Sequence, residues 1–197
     1  MIKRVFDIFF SLFGVIFLSP LLIILVLLVK VDSKGPVFYI QKRVGRYGKE
    51  FGLFKYRTMA VGADKKGLLT VGSRDNRITR IGFFLRRFKL DELPQLFNVL
   101  LGNMSFVGPR PEVLKYVELY TDEQKQILNI RPGITDFASI YFSNENELLS
   151  KSANPELFYI ERVMSQKIRL NKLYIRSMSL KLDFMIIFMT IGKIFKK

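Results

Sequence analysis

Residues 8–29 read IFFSLFGVIFLSPLLIILVLLV, 22 consecutive positions without a charge. At about 1.5 Å per residue, one straight helix of that length crosses the hydrocarbon core of a bilayer. A chain that carries this segment must bury it or give it to lipid, and hydropathy alone suggests a single spanning helix. A cleaved signal peptide fits poorly, because the apolar run is long and no small-residue cleavage site follows it. Two features oppose the span. Ser19-Pro20 falls at the midpoint, and proline removes a backbone donor and clashes with the preceding turn, so it kinks or breaks a helix. The serine hydroxyl can satisfy a carbonyl freed by that break. Both flanks are also basic, with Lys3 and Arg4 before the segment and Lys30 and Lys34 after it, which draws both ends to the cytoplasmic side. The expectation over residues 1–34 is therefore a re-entrant helix-break-helix. Asp7, one turn after Lys3 and Arg4, is placed to pair with them near the headgroups.

The remainder of the chain limits the chemistry. It has 197 residues, 49% of them hydrophobic, yet carries 32 Lys and Arg against 17 Asp and Glu, a net charge of +15. Such a charge implies an anionic partner, and the oily composition favours a membrane surface. Nucleic acid is not expected as a partner: the aromatics follow apolar stripes, and no groove-reading motif is visible. The absence of Cys excludes a disulfide framework and a thiolate zinc site. The absence of His removes the commonest general base and metal ligand. Catalysis must then run on carboxylates, hydroxyls, Lys, Arg or Tyr, and any metal is a hard cation held by oxygens.

The expected fold class is α+β and mostly helical. Two apolar-aromatic runs in 37–59, separated by a basic Gly-containing turn, predict a β-hairpin. A polar, Gly-containing loop follows over 60–76. Thr79 caps a helix whose apolar stripe is Ile81, Phe84, Leu85 and Phe88. Leu93, Leu96, Phe97, Leu100 and Leu101 form a second stripe, which stops at Gly102-Asn103. The two prolines of GPRPE (108–112) predict an extended turn. Residues 112–129 read as helix, RPGIT (131–135) as a turn, and 155–170 as helix. In the tail, 180–197, the apolar core from Phe184 to Ile191 is too short to span. Lys181, Lys193, Lys196 and Lys197 surround it, as in an amphipathic helix lying on a membrane surface. A domain is expected over 35–179, between this tail and the hairpin.

Within LDELPQL (90–96), Asp91 and Glu92 stand side by side in the most basic part of the chain. From Gly35 to Pro111 there are fifteen Lys and Arg against five Asp and Glu. These cations suit either an anionic lipid surface or a pocket for phosphates, in which Arg supplies planar bidentate donors. Asp91 alone reads equally well as an N-cap, and Pro94 is tolerated in a first helical turn. A second adjacent acid fits better with magnesium-assisted phosphoryl transfer, in which one carboxylate attacks phosphorus and its neighbour holds the cation. A non-catalytic membrane-surface protein that binds anionic lipids is the alternative supported by the same charge count.

Four segments now carry a resemblance: KRVFDIFFSLFGVIFLSPLLIILVLLVK, GPVFYIQKRVGRYGKEFGLFKYRTM, RITRIGFFLRRFKLDELPQLFNVLLGNMSFVGPRPE and RPGIT, in that order. Together they resemble the bacterial sugar transferases, the small monotopic phosphoglycosyl transferases, nearly without gaps over 3–135 and weakly beyond. The resemblance implies transfer of a sugar-1-phosphate from a UDP-sugar to a polyprenol phosphate such as undecaprenyl phosphate, with release of UMP. It places the protein at the cytoplasmic face of the bacterial inner membrane, acting in the first membrane step of glycan assembly. It implies a ping-pong mechanism with Asp91 as nucleophile and Glu92 as a ligand of Mg²⁺. It also implies that Ser19-Pro20 is the break of a re-entrant helix. Phosphate or nucleotide contacts are implied at positions among Lys55, Arg57, Arg86, Arg110 and Arg131. The chain departs from the pattern after RPGIT, where Asp136 replaces a glycine and Ser143 stands where an arginine is expected. Residues 141–165 are also longer and more acidic than in the smallest members.

Overall fold

A computed structural model of the chain describes residues 2–63, 69, 72 and 75–196. The loop expected over 60–76 lies in large part outside the described residues. The apolar segment forms two helices, α1 (Ile2–Phe17) and α2 (Ser19–Asp32), bent by 63°. Pro20 lies in the first turn of α2, where a missing N–H costs least. The carbonyl that position 20 would otherwise bond is that of Ile16, and Ser19 Oγ donates to it at 2.8 Å. No single helix among the described residues is long and apolar enough to cross a membrane, although the bent pair together has the length and composition. One face of α2 packs Leu22, Leu25 and Val29 against Tyr56 and Leu85. Phe9, Phe13, Ile16 and Phe17 on α1, and Ile23, Ile24, Leu27 and Val31 on α2, remain exposed.

The expected pairing of Asp7 with Lys3 and Arg4 is replaced by long-range contacts. Asp7 is buried, and its Oδ1 accepts from Ser105 Oγ at 3.0 Å and from Phe106 N–H at 3.2 Å. Lys3 instead pairs with Asp183, and the Arg4 guanidinium donates to the carbonyls of Val99 and Leu100 at 2.7 and 3.1 Å. The reason is capping: the final carbonyls of a helix lack intrahelical partners, and arginine supplies donors for two of them at once.

The β-hairpin forms as its sequence predicts. Strands β1 (Phe38–Val44) and β2 (Glu50–Tyr56) pair antiparallel, from Phe38 opposite Tyr56 to Val44 opposite Glu50. Thr79 caps α3 (Arg80–Arg87) by accepting from Gly82 N–H. At Gly82 a Cβ would lie 2.1 Å from the Thr58 carbonyl oxygen, so only glycine lets α3 approach the exit of β2 this closely. Helix α4 (Gln95–Leu100) follows and stops near Gly102, whose φ is 89°.

The next segments correct two expectations. RPGIT contributes a strand: β3 (Ser105–Val107) pairs in parallel with β4 (Gly133–Thr135). Glycine permits the contact, since a Cβ on Gly133 would lie 2.1 Å from Gly108 N. The helix expected over 112–129 breaks into α5 (Leu114–Val117), α6 (Asp122–Lys125) and a 3-10 turn at Gln126–Asn129. Thr121 and Gln124 form a reciprocal capping box, which starts a new helix at this point.

Helices α7 (Phe137–Tyr141) and α8 (Glu145–Ser150) precede a longer helical run than the sequence suggests. That run comprises α9 (Pro155–Phe158), a π-helical turn at Tyr159–Met164 and α10 (Ser165–Arg176). Its extra residue lets Val163 and Met164 both face a core that includes Tyr116, Tyr159 and Ile168. The tail is α11 (Leu180–Phe195), with Asp183 and Ile186 buried and Met185, Phe188 and Phe195 exposed.

Candidate active site

The Asp-Glu pair occupies a 3-10 turn, Leu90–Glu92, between α3 and α4. Neither acid caps a helix: Lys89 precedes that turn, and Pro94 occupies the N-cap of α4. Both carboxylates point inward, at 6% exposure for Asp91 and 9% for Glu92. Two local features fix the turn. Lys89 adopts a left-handed conformation with φ 57°, a strain of about 1 kcal/mol for a non-glycine residue, and this reverses the chain after α3. The buried Asn98 on α4 then clamps β2. Its Oδ1 accepts from Phe54 N–H at 2.9 Å and its Nδ2 donates to the Gly52 carbonyl at 2.7 Å. Lys55 is thereby held across from the turn, with Nζ 3.7 Å from Glu92 Oε1.

Arg110 completes the pair's surroundings. Its two terminal nitrogens reach Glu92 Oε1 at 2.5 Å and Oε2 at 3.1 Å, a bidentate clamp. The extended GPRP segment is tied to β4 by the bond from Gly108 N–H to the Thr135 carbonyl, 3.1 Å. The Asp136 carboxylate accepts from Arg110 N–H at 3.2 Å and caps α7 through Ser139 N–H at 2.7 Å. Asp136 therefore supports the arginine loop at the position where the family resemblance suggests glycine.

The two acids differ electrically. Burial raises the pKa of Asp91, the adjacent Glu92 raises it further, and Lys55, Lys89 and Arg86 oppose both. For Glu92 burial acts upward, but Arg110 and then Lys55 outweigh it and hold the carboxyl well below its usual range. Burial brings the Lys55 ammonium down to about 8, against the pull of Glu92. Glu92, by contrast, raises the Arg110 guanidinium above its ordinary value. Glu92 is thus a committed anion, whereas Asp91 Oδ1 is buried with no hydrogen-bond partner.

Asp91, Glu92, Lys55, Arg86 and Arg110 line one cavity of about 930 Å³. Two other arginines singled out in the sequence do not line it. Arg57 is buried against the exit of α2, where it donates to the Pro36 carbonyl and to Ser33 O and Oγ at 2.6 and 2.9 Å. Arg131 donates to the Gly102 carbonyl at 2.9 Å. Sequence alone cannot separate these two from Arg110, because each of the three lies in a short motif of the family resemblance and only long-range contacts sort them. Arg43 also lines the cavity, at 3.0 Å from Glu112. Its place on the hairpin, opposite the residues that precede Lys55, was the available signal.

No group of three His, Cys, Asp or Glu side chains suited to a metal occurs among the described residues. Mg²⁺ does not need one, because it is commonly held by one or two carboxylates together with substrate phosphates. An all-oxygen pair with one unpartnered Asp91 oxygen suits a hard cation that arrives with a diphosphate.

A sequence profile described as "Bacterial sugar transferase" matches residues 1–197. The chain belongs to the bacterial sugar transferase family. The match extends past residue 135, where the motifs thin out, to the end of α11. A UDP-glucose:undecaprenyl-phosphate glucose-1-phosphate transferase of Klebsiella pneumoniae is 38% identical over 97% of this chain and 39% of its own length. A UDP-N-acetylgalactosamine-undecaprenyl-phosphate N-acetylgalactosaminephosphotransferase of Aeromonas hydrophila is 34% identical over 98% of this chain and 43% of its own. The chain thus spans about two fifths of the length of each. The sugar transferase EpsL of Bacillus subtilis, uncharacterized, is 35% identical over 98% of this chain and 87% of its own. In this sugar transferase Ser143, Glu145, Asn146 and Lys167, all after β4, contribute to the cavity lining.

Proposed function

We propose that this sugar transferase moves a sugar-1-phosphate from a UDP-sugar to a polyprenol phosphate, undecaprenyl phosphate by the names of its relatives, and releases UMP. One observation carries the reading: Asp91, which has a buried carboxylate oxygen without a hydrogen-bond partner, lines a cavity together with Lys55, Arg86 and Arg110. In the first half-reaction an Asp91 oxygen attacks the phosphorus that bears the sugar. The phosphorus–oxygen bond to UMP breaks, and UMP leaves with the electron pair. In the second, a phosphate oxygen of the polyprenol attacks the same phosphorus. The bond to Asp91 breaks and the carboxylate is restored. With no His or Cys in the chain, the nucleophile of a ping-pong route comes from a carboxylate, hydroxyl or amine, and the Asp91 carboxylate is the most credible of these.

The other residues set charge and position. The fields of Lys55, Lys89 and Arg86 favour the ionised Asp91 needed for attack, while burial strips water from it. Lys55, Arg86 and Arg110 face phosphate oxygens as charge develops on them. Asp91 and Glu92 would hold Mg²⁺ together with the diphosphate, where the cation neutralises charge on the phosphoryl oxygens. On its other side the cavity passes Leu93 and Leu96 to reach Phe10, Gly14 and Leu18 of the bent helix pair. That apolar path suits the isoprenoid tail of an acceptor arriving from the bilayer.

The membrane arrangement belongs to the same proposal. The 63° bend, the apolar exposed faces of α1 and α2 and the basic flanks support a re-entrant pair in the cytoplasmic leaflet of the bacterial inner membrane. In this arrangement α11 would rest its exposed residues on the membrane surface, with the excess positive charge against anionic lipid. Tags at both termini are expected to be reachable only from the cytoplasm, and a periplasmic N-terminus would contradict this topology.

The reaction is tested with the whole chain in bilayer nanodiscs supplied with undecaprenyl phosphate, Mg²⁺ and a panel of UDP-sugars. UMP release from at least one sugar is expected, abolished by EDTA. An EDTA-insensitive rate contradicts the metal assignment. Salt-sensitive binding to anionic vesicles without UMP release from any sugar would favour a non-catalytic lipid-binding protein instead.

A further inference from the structure

The cavity lining includes polar residues that the chemistry at Asp91 leaves unused. They lie on the segment after β4 and on one face of α10, where Lys167 and Asn171 are four residues apart and so share that face. Asn171 is 5% exposed, and its Oδ1 has no hydrogen-bond partner. A buried amide oxygen left without a donor is costly, and native folds seldom keep one without a use. Beside it, Lys167 Nζ pairs with Glu145 Oε2 at 2.5 Å and lies 5.0 Å above the Tyr159 ring. These residues therefore offer an open acceptor at Asn171 and a fixed charge pair one turn away.

These features select among the parts of a UDP-sugar. A phosphate brings only acceptors, so it cannot satisfy Asn171 Oδ1. A uracil ring can donate one N–H, but it favours an aromatic face to stack on. Tyr159, the ring beside Lys167, is already engaged by Tyr116 at 4.9 Å and by Lys167, so a base that stacks is better served by another ring of the lining such as Phe142. A pyranose brings several hydroxyl donors and an acetamido sugar adds an amide N–H; the ribose brings two hydroxyls, and inhibition by UDP tests it apart from the transferred sugar. We propose that Asn171, flanked by the Lys167–Glu145 pair, is a specificity-determining residue that accepts a hydrogen bond from a hydroxyl or amide N–H of the transferred sugar. This rests on the phosphoglycosyl transfer proposed above and adds to it the group that reads the sugar. The π-helical turn at Tyr159–Met164 supports the assignment, since such insertions recur at functional sites and this one sets the rotation of α10 relative to Tyr159.

The test compares the wild-type chain with Asn171→Leu, which keeps the side-chain size and removes the acceptor. UMP release is measured in nanodiscs with UDP-sugars that differ from one another at a single hydroxyl or at the acetamido group. For the preferred sugar, kcat/KM is expected to fall on the order of a hundredfold in Asn171→Leu. For the analogue lacking the recognised group, the same substitution should change it less than about threefold, so the variant loses its ranking of sugars. Glu145→Gln, which keeps the side-chain shape and weakens the hold on Lys167, is the second variant and should narrow the same ranking. If both variants keep the wild-type ranking, with all sugars slowed equally or not at all, sugar reading by these residues is overturned. Inhibition by UDP distinguishes the base from the sugar: its Ki should stay within about twofold in Asn171→Leu, and a rise matching the loss in kcat/KM would assign Asn171 to the nucleotide and overturn the proposal. If the wild-type chain releases UMP from none of the sugars, the transferase reading falls and the inference falls with it.

Discussion

Two groups of buried carboxylates face cations in this fold, and they differ in how completely their oxygens are used. At the base of α1, Asp7 accepts from Ser105 and Phe106, while Asp183 accepts from Lys3 on one oxygen and from Tyr174 Oη at 2.6 Å on the other. These contacts fasten α1 to β3 and to α11, and no polar atom of either aspartate is left buried without a partner. Before α4, Glu92 is equally engaged by Arg110, but its neighbour Asp91, which lines the cavity, has a buried oxygen without a partner. In the proposed mechanism, the same residue types therefore serve as a fastening in one place and as a reactant in the other. What separates them is one unsatisfied oxygen and the cavity that Asp91 lines.

This contrast can be broken most directly at the aspartates. Asp91→Asn should lower turnover at least a thousandfold, about 4 kcal/mol at the transition state. Thermal denaturation of the same variant should show an unchanged or higher midpoint. The sign follows from linkage: a pKa raised by folding means the ionised form is destabilised, so stability is greatest below the usual value of 3.8 and is lost as pH rises through the folded pKa. Asparagine removes that loss at neutral pH. Arg110→Leu acts on the paired acid. It should cut turnover about a hundredfold and destabilise the fold by about 3 kcal/mol, because Glu92 remains buried without its main partner; equal stability in chemical denaturation would contradict this pairing.

Lys55 gives a smaller, pH-dependent effect. With its ammonium brought down to about 8, its charge is present below that pH and lost above it. The rate should therefore fall roughly tenfold per unit on the alkaline side of pH 8. Lys55→Arg should carry that limb to higher pH, since arginine stays charged; an identical pH profile would show that Lys55 is not the titrating group. The smallest effect on rate is expected at the fastening. Lys3→Met should leave turnover within about threefold while lowering stability by about 2 kcal/mol, because Asp183 loses its cation. A hundredfold loss of rate in Lys3→Met at full stability would erase the distinction between the two clusters.

Short-range signals in the sequence carried much of this architecture. The Ser19-Pro20 break, the Thr79 cap, the β-hairpin and α11 each follow from residues within a few positions of one another. The adjacent acids and the missing His and Cys pointed to the Leu90–Glu92 turn as the candidate site before any contact was known. Long-range contacts were the part that did not show. A three-residue parallel strand such as Gly133–Thr135 has too little length for periodicity, so RPGIT read as a turn. Arg57 and Arg131 resemble Arg110 in their motifs, but their guanidiniums are spent on backbone carbonyls brought near by folding. Asp7 seemed paired with its helical neighbours until the chain returned with Ser105. Asn171 gave no signal at all, because one asparagine in a helix becomes notable only when its oxygen is found buried and unpartnered.

The distinction between fastening and reactant is tested most directly by mass spectrometry of the whole chain mixed with its UDP-sugar and Mg²⁺ in the absence of polyprenol phosphate. The expected result is a mass increase equal to one phosphosugar, located on the peptide containing Asp91 and discharged when undecaprenyl phosphate is added. A chain that releases UMP at full rate with no adduct at Asp91, or with the adduct on Asp7, Asp183 or Glu92, would contradict the role assigned to the unpartnered oxygen.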